Sequence, residues 1–199
     1  MLKLLVLPFF AYLLGSIPWG LVLTRLFTSV DIRRMGSKNI GSTNVKRVAG
    51  TTWGMLTLAG DTLKGAVPVW LALTIFTPTT IGGQIYVSLV ALAAFLGHLF
   101  PVYTKFRDGG KGVATAGGCF AVISPLAFVV AILVFIMIIC WFDRVSAASL
   151  AAAATLPTAV WKTTGSGVIT GCAAIIALFI FFRHADNIQR LMAGTEPKI

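Results

Sequence analysis

"GVATAGGCFAVISPLAFVVAILVFIMIICWF", from Gly112 to Phe142, is a run of 31 residues without a charged side chain. A single helix of that length would extend about 46 Å at 1.5 Å per residue, well beyond the ~30 Å hydrocarbon core of a bilayer. Ser124-Pro125 lies near the middle of the run, and proline ends one helix and can begin the next. We therefore predict two helices here, at 112–124 and 126–142, and the helix count of the whole fold depends on this break.

The rest of the chain is similarly apolar. It has 199 residues, of which 57% are hydrophobic and 11% charged, with a mean hydropathy of +0.92. Soluble domains carry about 25% charged residues, so too few polar side chains remain to coat a soluble core. Pro78 and Gly82-Gly83 divide another long uncharged run. The start of the chain could pass for a signal peptide, but no clear cleavage site follows, which favours an uncleaved first helix.

The sequence thus predicts an all-α integral membrane protein with seven transmembrane helices in a single domain, 1–199. The predicted spans are 4–24, 54–76, 84–101, 112–124, 126–142, 146–161 and 165–183.

Basic residues accumulate on the cytoplasmic side of membrane proteins. With seven helices and the N-terminus outside, thirteen of the 16 Lys and Arg residues lie inside and two outside, while six helices give ten against five. Seven helices with a cytoplasmic C-terminus therefore fit better. The net charge of +10 is explained by this topology and does not indicate a nucleic-acid partner.

Three polar segments fall on the same predicted side: the first cluster (Met35–Arg47), the second cluster (Phe106–Thr115) and the third cluster (Arg183–Glu196). The first two combine glycines with groups that bind phosphate, and a helix is predicted to begin just after the second, presenting its positive N-terminal end. These groups are Ser37, Asn39, Thr43, Asn44 and Arg47 in the first cluster, and Gly109, Gly110, Lys111 and Gly112 in the second. The spacing is not that of an ATP-binding Walker A loop, because a glycine follows the lysine. Ordinary basic interfacial loops are the alternative.

The remaining polar residues are few. His184, Asn187 and Arg190 can share one helix face. His98 is expected to support a loop. Asp61 and Lys64 fall within a predicted span, where a structural ion pair is favoured over direct catalysis. The three cysteines lie in apolar runs, and no metal site is visible.

Five segments of the chain resemble bacterial acyl-phosphate:glycerol-3-phosphate acyltransferases, the PlsY family. They are "GSKNIGSTN", "DTLKG", "GHLFPVYTKFRDGGKGVAT", "RVSAASL" and "HADNIQRLMAGTE", and together they extend over nearly the whole chain. The chain departs from the family pattern at Lys38, where Gly is usual, and at Ser42, where Ala is usual. It also has two residues, Arg107-Asp108, where one is usual.

The resemblance implies an inner-membrane enzyme with its site at the cytoplasmic face and no cofactor. Its reaction would move a fatty acyl group from acyl phosphate to the sn-1 hydroxyl of glycerol 3-phosphate, giving lysophosphatidic acid and inorganic phosphate. Whether the chain contacts the enzyme that makes acyl phosphate stays open. A small anion transporter or channel is the alternative, disfavoured because no polar path crosses the bilayer and no internal repeat is visible.

We hypothesise that Ser37, Arg47 and Lys111 bind phosphate, assisted by the amides of the three second-cluster glycines. Asn39, Thr43 and Asn44 would shape the first loop and contact the glycerol. His184 and Asn187, with Ser37, form the predicted catalytic group. Whether His184 or a substrate phosphate takes the proton stays open.

Overall fold

The computed structural model describes residues 2–199, with side chains from Val6 onward. Every regular element in this part of the chain is helical, which confirms the all-α prediction. A short 3-10 turn covers Val102–Thr104. The α-helices are α1 (Leu2–Gly15), α2 (Trp19–Phe27), α3 (Ser42–Ala49), α4 (Thr51–Ile75), α5 (Ile81–Leu99), α6 (Val113–Ile123), α7 (Pro125–Phe142), α8 (Val145–Thr164), α9 (Gly167–Arg183) and α10 (Ala185–Met192).

The first predicted span, 4–24, is not one helix. α1 and α2 meet at an angle of 45°, with the break at Ser16–Pro18, and α2 continues to Phe27. Pro18 has no backbone N–H and cannot continue the helical hydrogen bonding of α1. The carbonyl of Ile17 instead accepts a hydrogen bond from Lys64 Nζ of α4, at 2.8 Å. The predicted span at 4–24 is therefore a bent pair of helices, and the expectation of one helix there was wrong.

The break at Ser124–Pro125 is confirmed. α6 ends at Ile123 and Pro125 is the first residue of α7. α6 has 11 residues and is only about 16 Å long, roughly half the thickness of a bilayer core. Ser124 Oγ lies 2.8 Å from Thr163 Oγ1, near the end of α8. The α6–α7 hairpin therefore turns at the same end of the bundle at which α8 finishes.

The bundle has two distinct ends. The three polar clusters lie together at one end of the bundle, which we call the cluster end. At the opposite end, Ser166 Oγ donates a hydrogen bond to Gln84 Oε1 at 2.7 Å. Counting α1–α2 as one pass, the helices of the described residues pass between these ends seven times. By length and hydropathy, the segment Ile81–Thr104 and helix α7 can each cross a membrane alone, and the bent pairs α1–α2 and α9–α10 can do so as pairs. The described residues thus include up to four spans on that criterion.

The core positions α6 against α4 and α5. Val87, Val90, Ala94 and Phe95 of α5 are fully buried in it. α6 approaches α4 closely at Gly65, where a Cβ would lie 2.2 Å from the carbonyl oxygen of Thr115. This close contact brings the first turn of α6 beside the polar residues of α4. On the outside, α7 buries only two alanines and exposes a continuous apolar surface suited to lipid.

Candidate active site

A cavity of about 470 Å³ opens at the cluster end. All three polar clusters contribute to it, together with residues from α4, α5, α8 and the C-terminal tail. Its walls contain nine of the residues singled out in the sequence as binding or catalytic: Ser37, Asn39, Thr43, Asn44, Arg47, Lys111, Gly112, His184 and Asn187. The clusters are far apart in sequence, so the fold brings these side chains to one site.

Asn44, in the first turn of α3, holds the first cluster in shape. Its Oδ1 accepts from the Ser37 N–H at 2.8 Å, and its Nδ2 donates to the carbonyls of Ile32, at 3.1 Å, and Asn39, at 2.9 Å. The side chain is buried and its hydrogen-bonding groups are occupied by the loop. Asn44 therefore shapes the site but has no free donor for the glycerol, which corrects half of its expected role.

The remaining first-cluster side chains are more open. Ser37, Thr43 and Arg47 are exposed and line the cavity. Asn39 Oδ1 accepts from the Gly41 N–H at 2.9 Å, just before α3 begins. The amides in the first turn of a helix have no partner within that helix, and Ser42 and Thr43 of that turn line the cavity. α3 thus presents its positive end to the site, although the sequence analysis treated this segment as a loop.

The second cluster presents a helix end and a lysine. Gly112, at φ +82°, precedes α6, and the first two residues of that helix, Val113 and Ala114, line the cavity. A φ in this range strongly favours glycine. Lys111 Nζ donates to Asn187 Oδ1, which links the second and third clusters. Burial lowers the pKa of Lys111 to about 8, so its ammonium group is still largely charged at neutral pH.

Gly109 and Gly110 do not line the cavity, which corrects the expectation that their amides bind phosphate. The Gly110 N–H donates to the carbonyl of His98 at 3.1 Å, and the carbonyls of both glycines accept from Arg183. A Cβ on Gly110 would lie 2.0 Å from His98 Nε2. Only glycine fits this contact, so these residues hold the loop that carries Lys111, and His98 supports it as predicted.

His184 lies just after α9, facing the cavity. Its Nδ1 is 2.8 Å from the carbonyl oxygen of Ile180. A carbonyl can only accept, so Nδ1 carries the hydrogen and Nε2 of the neutral ring is an acceptor. Burial lowers the pKa of His184 to about 4, and the positive charge of Lys111 adds to that effect. The ring is therefore neutral at physiological pH.

Glu196, in the C-terminal tail, is a site residue that the sequence analysis missed. Its carboxylate accepts from Asn187 Nδ2 at 2.6 Å and from Arg190 Nε at 2.7 Å, while its backbone carbonyl accepts from Arg144 Nε. Burial would raise its pKa, but the neighbouring hydroxyl of Ser146 and the donors of Asn187 and Arg190 hold the pKa below its usual range. Glu196 and Lys111 together fix both ends of the Asn187 amide. The available signal was its position as one of two acids in a polar segment, at its very end.

The expected ion pair on α4 is present. Lys64 Nζ lies 2.8 Å from Asp61 Oδ1, and both side chains are buried. Asp61 and His98 also line the cavity, which the sequence did not predict for either residue.

A helical bundle with an apolar outer surface and a basic, amide-lined cavity at one end defines a membrane protein that handles anions at one of its surfaces. Residues 5–194 match the family model described as glycerol-3-phosphate acyltransferase. The chain belongs to this family of membrane acyltransferases, as the sequence motifs predicted.

Individual relatives align over almost the entire chain. A glycerol-3-phosphate acyltransferase of Syntrophotalea carbinolica is 50% identical over 188 residues, covering 94% of this chain and 93% of the relative. One from Geobacter sulfurreducens is 44% identical and covers 100% of this chain and 98% of its own length.

Crystal structures of PlsY (YgiH), an integral membrane glycerol 3-phosphate acyltransferase, share the fold. Its glycerol 3-phosphate form is 37% identical with a TM-score of 0.93, covering 99% of this chain and 96% of that one. Its lysophosphatidic acid form is 36% identical with a TM-score of 0.91, covering 99% and 95%. The chain therefore has an integral membrane fold.

Proposed function

We propose that this chain transfers a fatty acyl group from acyl phosphate to the sn-1 hydroxyl of glycerol 3-phosphate within the cavity described above. The products are lysophosphatidic acid and inorganic phosphate. The observation that carries the proposal is that a cavity rich in phosphate-binding groups adjoins an apolar groove. The forms in which the solved relative was crystallised, with glycerol 3-phosphate and with lysophosphatidic acid, agree with this assignment.

The polar part of the cavity suits two phosphate groups. The N-terminal ends of α3 and α6 both point their first turns at it, and such ends bind anions through backbone amides and the helix dipole. Arg47, Lys111 and Arg190 add positive charge at its walls. We assign Ser37, Arg47 and Lys111 to the phosphates, with the α6 amides after Gly112 in place of those of Gly109 and Gly110.

The apolar groove lies between α6, α7 and α8, with a volume of about 70 Å³. Val113 and Ser149 line both spaces, so the groove continues from the cavity. We assign it to the part of the donor acyl chain next to the carbonyl, because a groove of about 70 Å³ holds only a few methylene groups. Its other walls are apolar or small: Ala116, Gly117, Phe120, Phe128, Ala131, Ile132, Phe135, Ala152, Ala153, Leu156 and Ile180.

In the reaction, the sn-1 oxygen of the acceptor attacks the acyl carbon. A new C–O ester bond forms, the C–O bond to phosphate breaks, and phosphate leaves with the electron pair. Because acyl phosphate is a mixed anhydride with a good leaving group, no protein nucleophile is required. We assign Lys111 and Asn187, which are hydrogen-bonded to each other in the cavity, to the stabilisation of negative charge that develops at the acyl carbonyl or the departing phosphate.

The proton of the sn-1 hydroxyl goes to a phosphate oxygen in this proposal. With a pKa of about 4, His184 is a weak base. Its Nε2 lone pair can still accept a hydrogen bond from the hydroxyl and orient it. A phosphate monoester with a second pKa near ~6 is the better proton acceptor in the site.

We also propose that the seven passes are seven membrane spans, with the cluster end in the cytoplasm and the N-terminus outside. The support is the placement of thirteen basic residues at that end against two at the other. Labelling single cysteines introduced at Lys105 and Lys162, in a chain whose three native cysteines have been replaced by alanine, tests this topology in intact bacterial cells. An impermeant maleimide should modify position 162 and spare position 105, and the reverse pattern would invert the orientation.

The reaction is tested with purified protein, palmitoyl phosphate and glycerol 3-phosphate, measuring phosphate release and the lipid product. Phosphate release should depend on glycerol 3-phosphate and yield lysophosphatidic acid. Turnover with acyl-CoA or acyl carrier protein in place of palmitoyl phosphate would refute the donor assignment. Absence of turnover with all three donors would contradict the proposed reaction and favour the alternative function, a small anion transporter or channel.

A further inference from the structure

Asp61 is an unexpected feature of a cavity that we assign to anions. The side chain is 4% exposed and lines the cavity. Its Oδ1 lies 2.8 Å from Lys64 Nζ and 3.5 Å from His98 Nδ1. Because Oδ1 is turned toward these two residues, Oδ2 is the oxygen that can face the cavity. Among the side-chain hydrogen bonds of the described residues, none reaches Asp61 Oδ2, so this oxygen is available to accept one from a ligand in the cavity.

A carboxylate in this position cannot bind a phosphate dianion, because an ionised carboxylate only accepts hydrogen bonds. It can accept one from a hydroxyl group. Lys64 balances its charge and is itself held by the Ile17 carbonyl at the break between α1 and α2. The buried pair is therefore neutral overall and compatible with a neighbouring phosphate.

The location of Asp61 also suits an acceptor that carries both phosphate and hydroxyl groups. Asp61 lies about one turn before Gly65, where α4 packs against the first turn of α6. The hydrogen-bond acceptor is thus on the α4 side of the cavity, next to the helix end assigned to phosphate. His184 and Asn187, whose groups we assign to the reacting end of the acceptor, line the same cavity.

We propose that Asp61 is a specificity-determining residue that accepts a hydrogen bond from the hydroxyl of glycerol 3-phosphate that is not acylated, at the sn-2 position. Lys64 and His98 are positioning residues that orient the carboxylate. This proposal rests on the proposed function. It predicts selection of an acceptor that carries two hydroxyl groups over one that carries only the reacting hydroxyl.

The test compares two acceptors, glycerol 3-phosphate and 3-hydroxypropyl phosphate, which keeps the reacting hydroxyl but lacks the second. kcat/KM is measured for both with palmitoyl phosphate as donor. Wild type should prefer glycerol 3-phosphate by about 100-fold or more, because a site built to bind a hydroxyl rejects an analogue that lacks it. In Asp61→Asn this preference should fall at least about tenfold, chiefly through loss of activity on glycerol 3-phosphate.

A purely structural role for Asp61 would lower activity on both acceptors by the same factor, and an unchanged ratio would overturn the proposal. Thr57→Val is the matched control, since Thr57 is buried one turn earlier on α4 and bonds only to the Trp53 carbonyl. The control should keep the wild-type ratio. If Asp61→Asn does not fold, the wild-type measurement still tests the proposal. Equal kcat/KM of the wild type on both acceptors would refute selection of the second hydroxyl. Failure of wild type on both acceptors would instead refute the proposed function.

Discussion

Glu196→Gln is expected to impair both stability and turnover, because the Glu196 carboxylate orients Asn187. The carboxylate accepts from Asn187 at 2.6 Å and from Arg190 at 2.7 Å. Glutamine has one acceptor oxygen, so its amide group must face either Asn187 or Arg190, donor against donor. Hydrogen bonds to charged groups contribute about 1.5–3 kcal/mol each, and the Arg190 side chain is 38% exposed, which reduces its share.

A loss of about 2 kcal/mol in unfolding free energy follows from these contacts. For a protein of this size it lowers Tm by about 4–8 °C. If the glutamine amide faces Asn187, Asn187 must turn over and present Nδ2 to Lys111 Nζ, which removes the Lys111–Asn187 link between the second and third clusters, while Arg183 still donates to Gly109 and Gly110. Loss of that link should lower kcat/KM for glycerol 3-phosphate by about tenfold or more.

The assay is thermal unfolding in detergent together with initial rates at varied glycerol 3-phosphate. Asp186→Asn is the matched control, because it removes one negative charge from the exposed first turn of α10 without altering Asn187. That control should keep wild-type Tm and rate. A Glu196→Gln enzyme with unchanged Tm and kcat/KM would refute the reasoning that the tail carboxylate fixes the Asn187 amide.

Three other substitutions or titrations test the site. Because the pKa of Lys111 is about 8 in the empty cavity, KM for glycerol 3-phosphate should rise above that pH, and Lys111→Arg should remove the rise in a KM–pH profile. The ring of His184 should stay neutral and Nδ1-protonated down to about pH 4 in 15N NMR of ligand-free protein; titration near 6.5 would contradict its burial. Gly110→Ala should cost about 1–3 kcal/mol by overpacking against His98, measured as a lowered Tm, whereas Gly171→Ala, in open space, should not destabilise.

Local rules explain which parts of the fold could be predicted. The Ser124–Pro125 break follows from the missing N–H of proline within a run too long for one helix. Pro18 obeys the same rule, yet the run 4–24 has an ordinary length for one span and gave no reason to divide it. The hydrogen bond from Lys64 to Ile17 holds that break, and it joins residues 47 positions apart. Such a contact leaves no periodic pattern in the sequence.

For the candidate site, the sequence indicated the kind of chemistry but not which contacts each residue makes. The residue types identified the phosphate-binding clusters, because glycines combined with hydroxyl and basic side chains suit anion binding at a membrane surface. The sequence could not show which polar groups are already hydrogen-bonded within the folded protein. Asn44 is used by its own loop, and the carbonyls of Gly109 and Gly110 are used by Arg183. Glu196 was missed because its partners become neighbours only when the tail folds back.

The shared wall of the cavity and the groove, formed by Val113 and Ser149, has a consequence for how the products separate. In the proposed reaction one product is a small ion and the other carries an acyl tail already embedded among α6, α7 and α8. The ion departs into water, while the lipid slides sideways into the neighbouring leaflet without crossing an aqueous phase. Phosphate is then in water and lysophosphatidic acid in the membrane. This separation opposes the reverse reaction and requires no conformational change of the protein.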